Sequence, residues 1–378
     1  MIAWLPIAVL VPASVLAKAC SNFTIDSIEK LQVARQCPDI DGDVVIDPHL
    51  REVNLDGIQR IHGSLVTMIV CTSETPKCND ENPLEIISSN TLAAVEDSVD
   101  ISWNANLRNI SFPNLKTVKS HWSIQHLENL EYLDITSLET VGAFSLWVPS
   151  LTALRHNGLR NITGYGRNYT GYASYSNKTS VTLATGLESL ESIFRYPLSI
   201  HWIAIEVNSR NKEIHFGFEN VTFLQIEGQP YGEGNYTGGG NTTIVFGGPD
   251  VETVHVGYFS CRNAINGLSR HEFLGRLTVD EIAIIGNDNL EHLDLPFDDL
   301  GELTMWGTTK LRWLSNHPQA SQWNNFALNL GRSYPNPLLN LSSEYMIDEA
   351  GNTIRSWYWP QKDIRKIDLD AITTNAFL

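Results

Sequence analysis

The sequence predicts a mainly β protein: a parallel β-solenoid in two consecutive halves behind a short N-terminal capping helix. Three observations carry this. Aliphatic residues recur at offsets 0, +3, +5, +8 and +11, as in Leu107, Ile110, Phe112, Leu115 and Val118. The starts Leu84, Leu107 and Leu130 are 23 residues apart, and Leu151 follows 21 later. The later part of each unit alternates apolar with polar residues, Trp122 and Ile124 against Ser123 and Gln125. A 3.6-residue helical period would not hold such offsets. The +3 to +5 step is the alternation of a strand, and the three-residue strides after it are those of a corner leading to another strand. A single unit cannot bury its apolar side alone, so stacked units share one core.

Residues 1–19 come first and read as a secretory signal peptide. Ile2 to Leu16 is an uncharged apolar run, closed by the small-x-small site Ala17-Lys18-Ala19. Residues 20–165 form the first solenoid half. Its lid is Ser27 to Arg35, with Ile28, Leu31 and Ala34 at helical spacing, stapled by Cys20 and Cys37. Leu50, Val53, Leu55, Ile58 and Ile61 fill one coil; Leu130, Leu133, Ile135, Leu138 and Val141 fill another. Ser89 and His156 stand at the +5 position of their coils, and the pair Asn-Leu opens coils at Asn106, Asn129 and Asn289. The period lies in the range of leucine-rich and related coils. Val99, Ile101 and Trp103 are assigned to one inward face.

Residues 166–186, rich in Gly, Tyr and Ser, are expected to be a glycosylated loop and domain boundary. Residues 187–330 form the second half, with degraded repeats at Leu187 and Leu290 and a Gly-rich excursion over 229–249. Residues 331–378 are irregular, with Trp357, Tyr358 and Trp359 placed to pack on the last coil.

Composition bounds the function. Hydrophobic residues make up 42% and charged residues 18%, which suits a folded chain. The net charge of −17 disfavours nucleic acid as a partner. No run in the mature chain is long enough for a transmembrane helix. Nine Asn-x-Ser/Thr tripeptides begin at Asn22, Asn109, Asn161, Asn168, Asn177, Asn220, Asn235, Asn241 and Asn340, and with the leader they predict a secreted glycoprotein. Five cysteines suit an oxidising compartment. Local pairing of Cys20 with Cys37 and of Cys71 with Cys78 is expected, leaving Cys261 as a buried thiol.

The opening Cys20, an amphipathic helix, Cys37-x-x-Ile40-x-Gly42-Asp43-Val44-x-Ile46 and then Leu55-Asp56-Gly57-Ile58-x-x-Ile61-x-Gly63-x-Leu65 resembles the receptor L-domain. Within that superfamily it is most similar to the fungal cell-wall-organisation glycoproteins of the extracellular-mutant and sporulation-specific group, over roughly residues 20–315. The resemblance implies a non-catalytic protein at the cell wall or cell surface. Its partners would be wall polysaccharide or wall and surface proteins, and it would need no cofactor. Members of the group usually carry a GPI anchor. The sequence ends LDAITTNAFL, without the apolar tail of a GPI signal, so the expectation is either release to the medium or a truncated terminus.

Other readings of single motifs are weaker. Asp39-x-Asp41-Gly42-Asp43 has its glycine too early for an EF-hand, so a turn is expected and not a metal site. Trp103, Trp122, Trp147 and Trp202 recur on successive coils as a sugar platform or a core ladder; parity favours the core for Trp103 and Trp122 and sets Trp147 apart. The alternative function is a carbohydrate-active β-helix enzyme, a polysaccharide hydrolase or lyase. It would need carboxylates on neighbouring coils, and Asp298-Asp299 is the one adjacent aspartate pair. No catalytic residue is assigned.

Overall fold

A computed structural model describes residues 20–68, 82–164, 178–191, 193–228, 241–287, 290–308, 310–330, 346–347, 353–354 and 357–368. The lid forms where the sequence put it. Ser27 caps the helix Ile28–Ala34, its side chain accepting from the Lys30 N–H at 3.3 Å. Cys20 and Cys37 are joined, with Cα atoms 5.7 Å apart. Leu31 and Ala34 are buried, but Ile28 is 61% exposed. Steps of three residues rotate about 60° each around a helix, so Ile28 has turned away from the coil that the other two cover.

Behind the lid the chain winds through about 12 turns of a parallel β-solenoid. Its broad face is one sheet running from Ser21–Ile25 to Ile364–Asp368. One inward row keeps its pairing from rung to rung, past local register shifts such as that between Val118 and His121. Val44, Leu65, Val99, Trp122, Phe144, Val181, Ile203 and Leu224 pair in sequence on neighbouring rungs. Phe259, Ile282, Leu303 and Leu328 continue the row. All of these side chains point inward and are buried. Each contributes about 1.5–3 kcal/mol of apolar transfer. A second inward row, two residues along, runs through Ile226, Cys261 and Ile284. Cys261 is thus a buried thiol in an aliphatic row, as the sequence suggested.

The opposite side is built from short strands. Glu52–Asn54, Ile86–Ser88, Asn109–Ser111, Tyr132–Asp134 and Ala153–Arg155 make a five-stranded parallel sheet. Glu213–Phe216, Thr242–Phe246 and Ile265–Arg270 make a three-stranded one. The polar +5 residues are satisfied in place. The Ser89 hydroxyl accepts from the N–H groups of Thr91 and Leu92 at 3.3 and 3.0 Å. Nδ1 of His156 accepts from the Gly158 N–H at 3.0 Å, and its Nε2 meets the Leu138 carbonyl at 3.1 Å. The Asn-Leu signature also has a cause. The Asn106 and Asn129 amides donate to backbone carbonyls of the preceding coil, Asn82 at 2.7 Å and Ala105 at 2.8 Å.

Four expectations change. The stretch 229–249 is not wholly an excursion: Thr242–Phe246 is a strand paired on both sides, with Ile244 and Phe246 buried. The segment 331–378 is not wholly irregular: Ile364–Asp368 joins the broad sheet beside Phe326–Leu330. Residues 166–186 are not wholly a loop: Ser180–Thr185 is a strand paired with both Thr140–Val148 and Ser199–Val207. The broad sheet therefore runs through the expected boundary, and the interruption falls on the other face, between Ala153–Arg155 and Glu213–Phe216. Trp103 does not share the inward face of Val99 and Ile101. The strand ends at Ser102, Trp103 takes φ +58°, and its side chain is 39% exposed. Near the C-terminal end Trp357 is buried against Trp323, with ring centroids 6.2 Å apart.

Candidate functional site

Inward residues of the broad strands alternate with outward ones, and the outward set has its own order over five consecutive rungs. On Ser199–Val207 they are Trp202, Ala204 and Glu206. On Asn220–Gly228 they are Phe223, Gln225 and Glu227. On Thr253–Arg262 they are Tyr258, Ser260 and Arg262. Arg276–Ile285 adds Glu281, Ala283 and Ile285, and Asp299–Trp306 adds Glu302, Thr304 and Trp306. Parallel strands lie about 4.8 Å apart and outward neighbours about 6.6 Å apart along a strand. The result is a lane of mostly small side chains, with Trp202, Phe223 and Tyr258 and then Glu281 and Glu302 along one flank, and Glu206, Glu227, Arg262, Ile285 and Trp306 along the other.

The aromatic flank is a row of contacting rings. Trp202 and Phe223 have centroids 6.2 Å apart at 38°, and Phe223 and Tyr258 are 6.4 Å apart at 57°. His201 meets the Phe223 ring edge-on at 5.3 Å. Phe223 is 38% exposed. The tilt between rings leaves part of each face turned outward, where the C–H faces of a sugar ring can lie on them.

Carboxylates edge both flanks, Glu206 and Glu227 across the lane from the rings and Glu281 and Glu302 beyond Tyr258 on the rings' own side. Gln225 donates to Glu227 at 2.8 Å. Burial, with the Glu227 charge on the next rung adding to it, holds the Glu206 carboxyl above the usual range. Burial and then the Glu302 charge do the same for Glu281, partly offset by Arg365, which pairs with Glu302. These groups accept hydrogen bonds from hydroxyls, and a protonated Glu206 also donates one.

A second aromatic group lies on earlier coils. Trp103 and His126 stack at 3.9 Å and 20°, and Trp147 continues the stack at 6.2 Å from His126. Trp147 is 37% exposed, in line with its parity. Trp122 is in the core, stacked on Phe144. Of the tryptophans weighed as a platform, Trp202 alone joins the row beside the lane. Phe223 and Tyr258 are 35 residues apart in sequence although they are neighbours on consecutive rungs, which obscures their spacing. The signal available was that each aromatic directly precedes an inward residue: Ile203, Leu224 and Phe259.

The other expected residues are dispersed. Asn22, Asn161, Asn220 and Asn241 are exposed. Asn109 is half-buried, its carboxamide oxygen enclosed without a partner. Asn168, Asn177, Asn235, Asn340, Cys71 and Cys78 lie outside the described residues. Asp298 is committed to a corner: Arg270 grips its carboxylate at 3.0 and 3.1 Å and the Leu277 N–H donates to it at 2.7 Å. In the Asp39–Asp43 stretch, Gly42 has φ +121° and Asp43 accepts from the Ser64 N–H at 2.7 Å. Among the described residues no three His, Cys, Asp or Glu side chains gather to hold a metal, and no helix is long and apolar enough to cross a membrane. No family model, curated protein or solved structure matches the chain.

Proposed function

We propose that the protein is a non-catalytic extracellular glycoprotein that binds an extended polysaccharide along its broad face and so scaffolds or adheres to a fungal cell wall. The observation that carries this reading is the row Trp202, Phe223 and Tyr258, in register on consecutive rungs and edged by hydroxyl-accepting carboxylates. The rung spacing is close to the length of one sugar residue in an extended glycan, so successive sugars meet successive rungs. The leader, the exposed sequons and the Cys20–Cys37 bridge support an extracellular setting. The resemblance to the wall-organisation group supports the wall as the place.

The test is co-sedimentation of the purified mature chain with insoluble β-glucan and chitin. Phe223→Ala with Tyr258→Ala is expected to weaken retention by about tenfold or more, the scale of roughly 1.4 kcal/mol. Retention unchanged in the double variant, or no retention of the natural chain, refutes the reading. The second reading, a carbohydrate-active enzyme, draws on the register pair Glu206 and Glu227. Soluble sugar released from the same polysaccharide, and abolished by Glu227→Gln, would favour it.

A further inference from the structure

Away from the broad face, the interrupted side of the solenoid holds a cavity of about 320 Å³, lined in part by Glu191, Phe194, Arg195, His215, Gly248 and His271. Its walls come from separate coils flanking the gap between Ala153–Arg155 and Glu213–Phe216. We propose that this cavity binds a hexose-sized ligand bearing one anionic group, a carboxylate or a phosphate. The site is separate from the broad face and does not depend on the reading given for it.

The volume is that of a small-ligand pocket, at the lower end of the range of about 300–1,000 Å³. How it stays open is informative. Gly247 has φ +93°, a backbone conformation that calls for glycine. Gly217, below it, could take no side chain, because a Cβ would lie 2.1 Å from the Phe194 carbonyl oxygen. Gly248 is different. A Cβ there would meet only the Gly217 Cα, at 3.5 Å, an ordinary contact. The fold does not need a glycine at 248, yet a side chain at that position would take up part of the cavity.

The polar groups of the lining fit an anionic sugar. Arg195 is exposed, with its guanidinium 6.0 Å from the centre of the Tyr196 ring and in no ion pair with a described residue. Its planar fork of N–H donors matches a carboxylate or phosphate. Nδ1 of His271 accepts from the Phe273 N–H at 3.4 Å, which leaves an Nε2–H to donate. Nε2 of His215 is engaged by Glu213 at 3.0 Å, which leaves Nδ1 to accept. Glu191 adds a second acceptor for hydroxyls. His156, also in the lining, has both ring nitrogens occupied within the fold and holds the wall in place. Arg195 and Glu191 offset each other in formal charge, so the division of labour is by position, Arg195 for the anionic group and Glu191 with the imidazoles for hydroxyls.

The experiment is calorimetric titration of the mature chain with glucuronate, galacturonate, glucose 6-phosphate and mannose 6-phosphate, with glucose as the neutral control. At least one anionic hexose is expected to bind about tenfold or more tightly than glucose, a gap of roughly 1.4 kcal/mol. Binding of uronates alone, or of sugar phosphates alone, identifies the source of the charge. Arg195→Gln, a change at an exposed side chain, should reduce anionic binding to the level of glucose. Gly248→Leu should abolish all binding at an unchanged melting temperature, and Phe223→Ala should leave it intact. The proposal is overturned if no anionic hexose binds, if glucose binds equally well, or if Arg195→Gln binds like the natural chain.

Discussion

Cys261 shows how much a single position owes to its row. It pairs with Ile226 on one side and Ile284 on the other, fully enclosed, and burial pushes its thiol well above the ordinary value. Cys261→Val keeps an apolar group of similar size and should change stability by less than about 1.5 kcal/mol. Cys261→Ser puts a hydroxyl in the same apolar row and should cost about 1–3 kcal/mol. Urea unfolding of the two variants checks the order, and a native thiol that reacts rapidly with an aromatic disulfide reagent would contradict the placement. This burial was legible, because Cys261 sits two residues beyond the inward Phe259. Trp103 was misread for a reason of the same size. Alternation counts residues and does not see the left-handed corner at which alternation stops. His126, Asn263 and Gly286 occupy matching corners with φ +53°, +49° and +63°, residue types that accept such angles readily, whereas Trp103 is a bulky residue in that region and stacks on His126.

Corners are also where the stability of single coils is concentrated. The Asn287 side chain accepts from the N–H groups of Ala264 and Ile265 at 2.9 and 3.0 Å and donates to the Ile285 carbonyl at 3.1 Å. Asn287→Ala strands two buried donors, and a loss on the order of 3 kcal/mol is expected. A melting temperature equal to that of the natural chain would show that water replaces the amide. At the other end, reducing Cys20–Cys37 frees a loop of 17 residues, and a loss of about 3 kcal/mol follows from its closure entropy. Thermal unfolding with and without reductant measures it. Coils up to Ile162 were readable because apolar offsets, strands and corners all repeat together there. Later coils were harder to see. The opposite face breaks off after Arg155, the Gly-rich sequence around the strand Thr242–Phe246 masks its apolar alternation, and Ser180–Thr185 is preceded by a stretch without apolar rhythm. The candidate lane is carried by those later coils, so the fold was easier to read than the site.

Across the whole molecule the rungs are tied by charge as well as by ladder hydrogen bonds. Glu96 contacts Arg60 at 3.0 Å and His62 at 3.3 Å on the preceding rung and Lys119 at 3.2 Å on the next. Hydrogen bonds from Lys119, His62 and Arg60 lower its carboxyl from 4.5 to about 2. What it adds is therefore complete above pH 4.5 and is lost as pH falls toward 2. His121, desolvated by burial, is lowered from 6.5 to about 4. The unfolded chain takes up that proton first, so stability should decline as pH drops from 6.5 to about 4. A melting curve against pH should show both declines; His121→Gln should flatten the upper and Glu96→Gln the lower. A slope equally steep in His121→Gln would reject the assignment. The gap in the opposite face bears on tension. A load applied between the two ends is carried by the rung interfaces in series, so the weakest one sets the strength of the whole. Between Arg155 and Glu213, where the opposite face keeps only the Ser189–Glu213 bridge, and again between Arg270 and His292, a single sheet joins neighbouring coils, and a stretched molecule should part at one of these two places first.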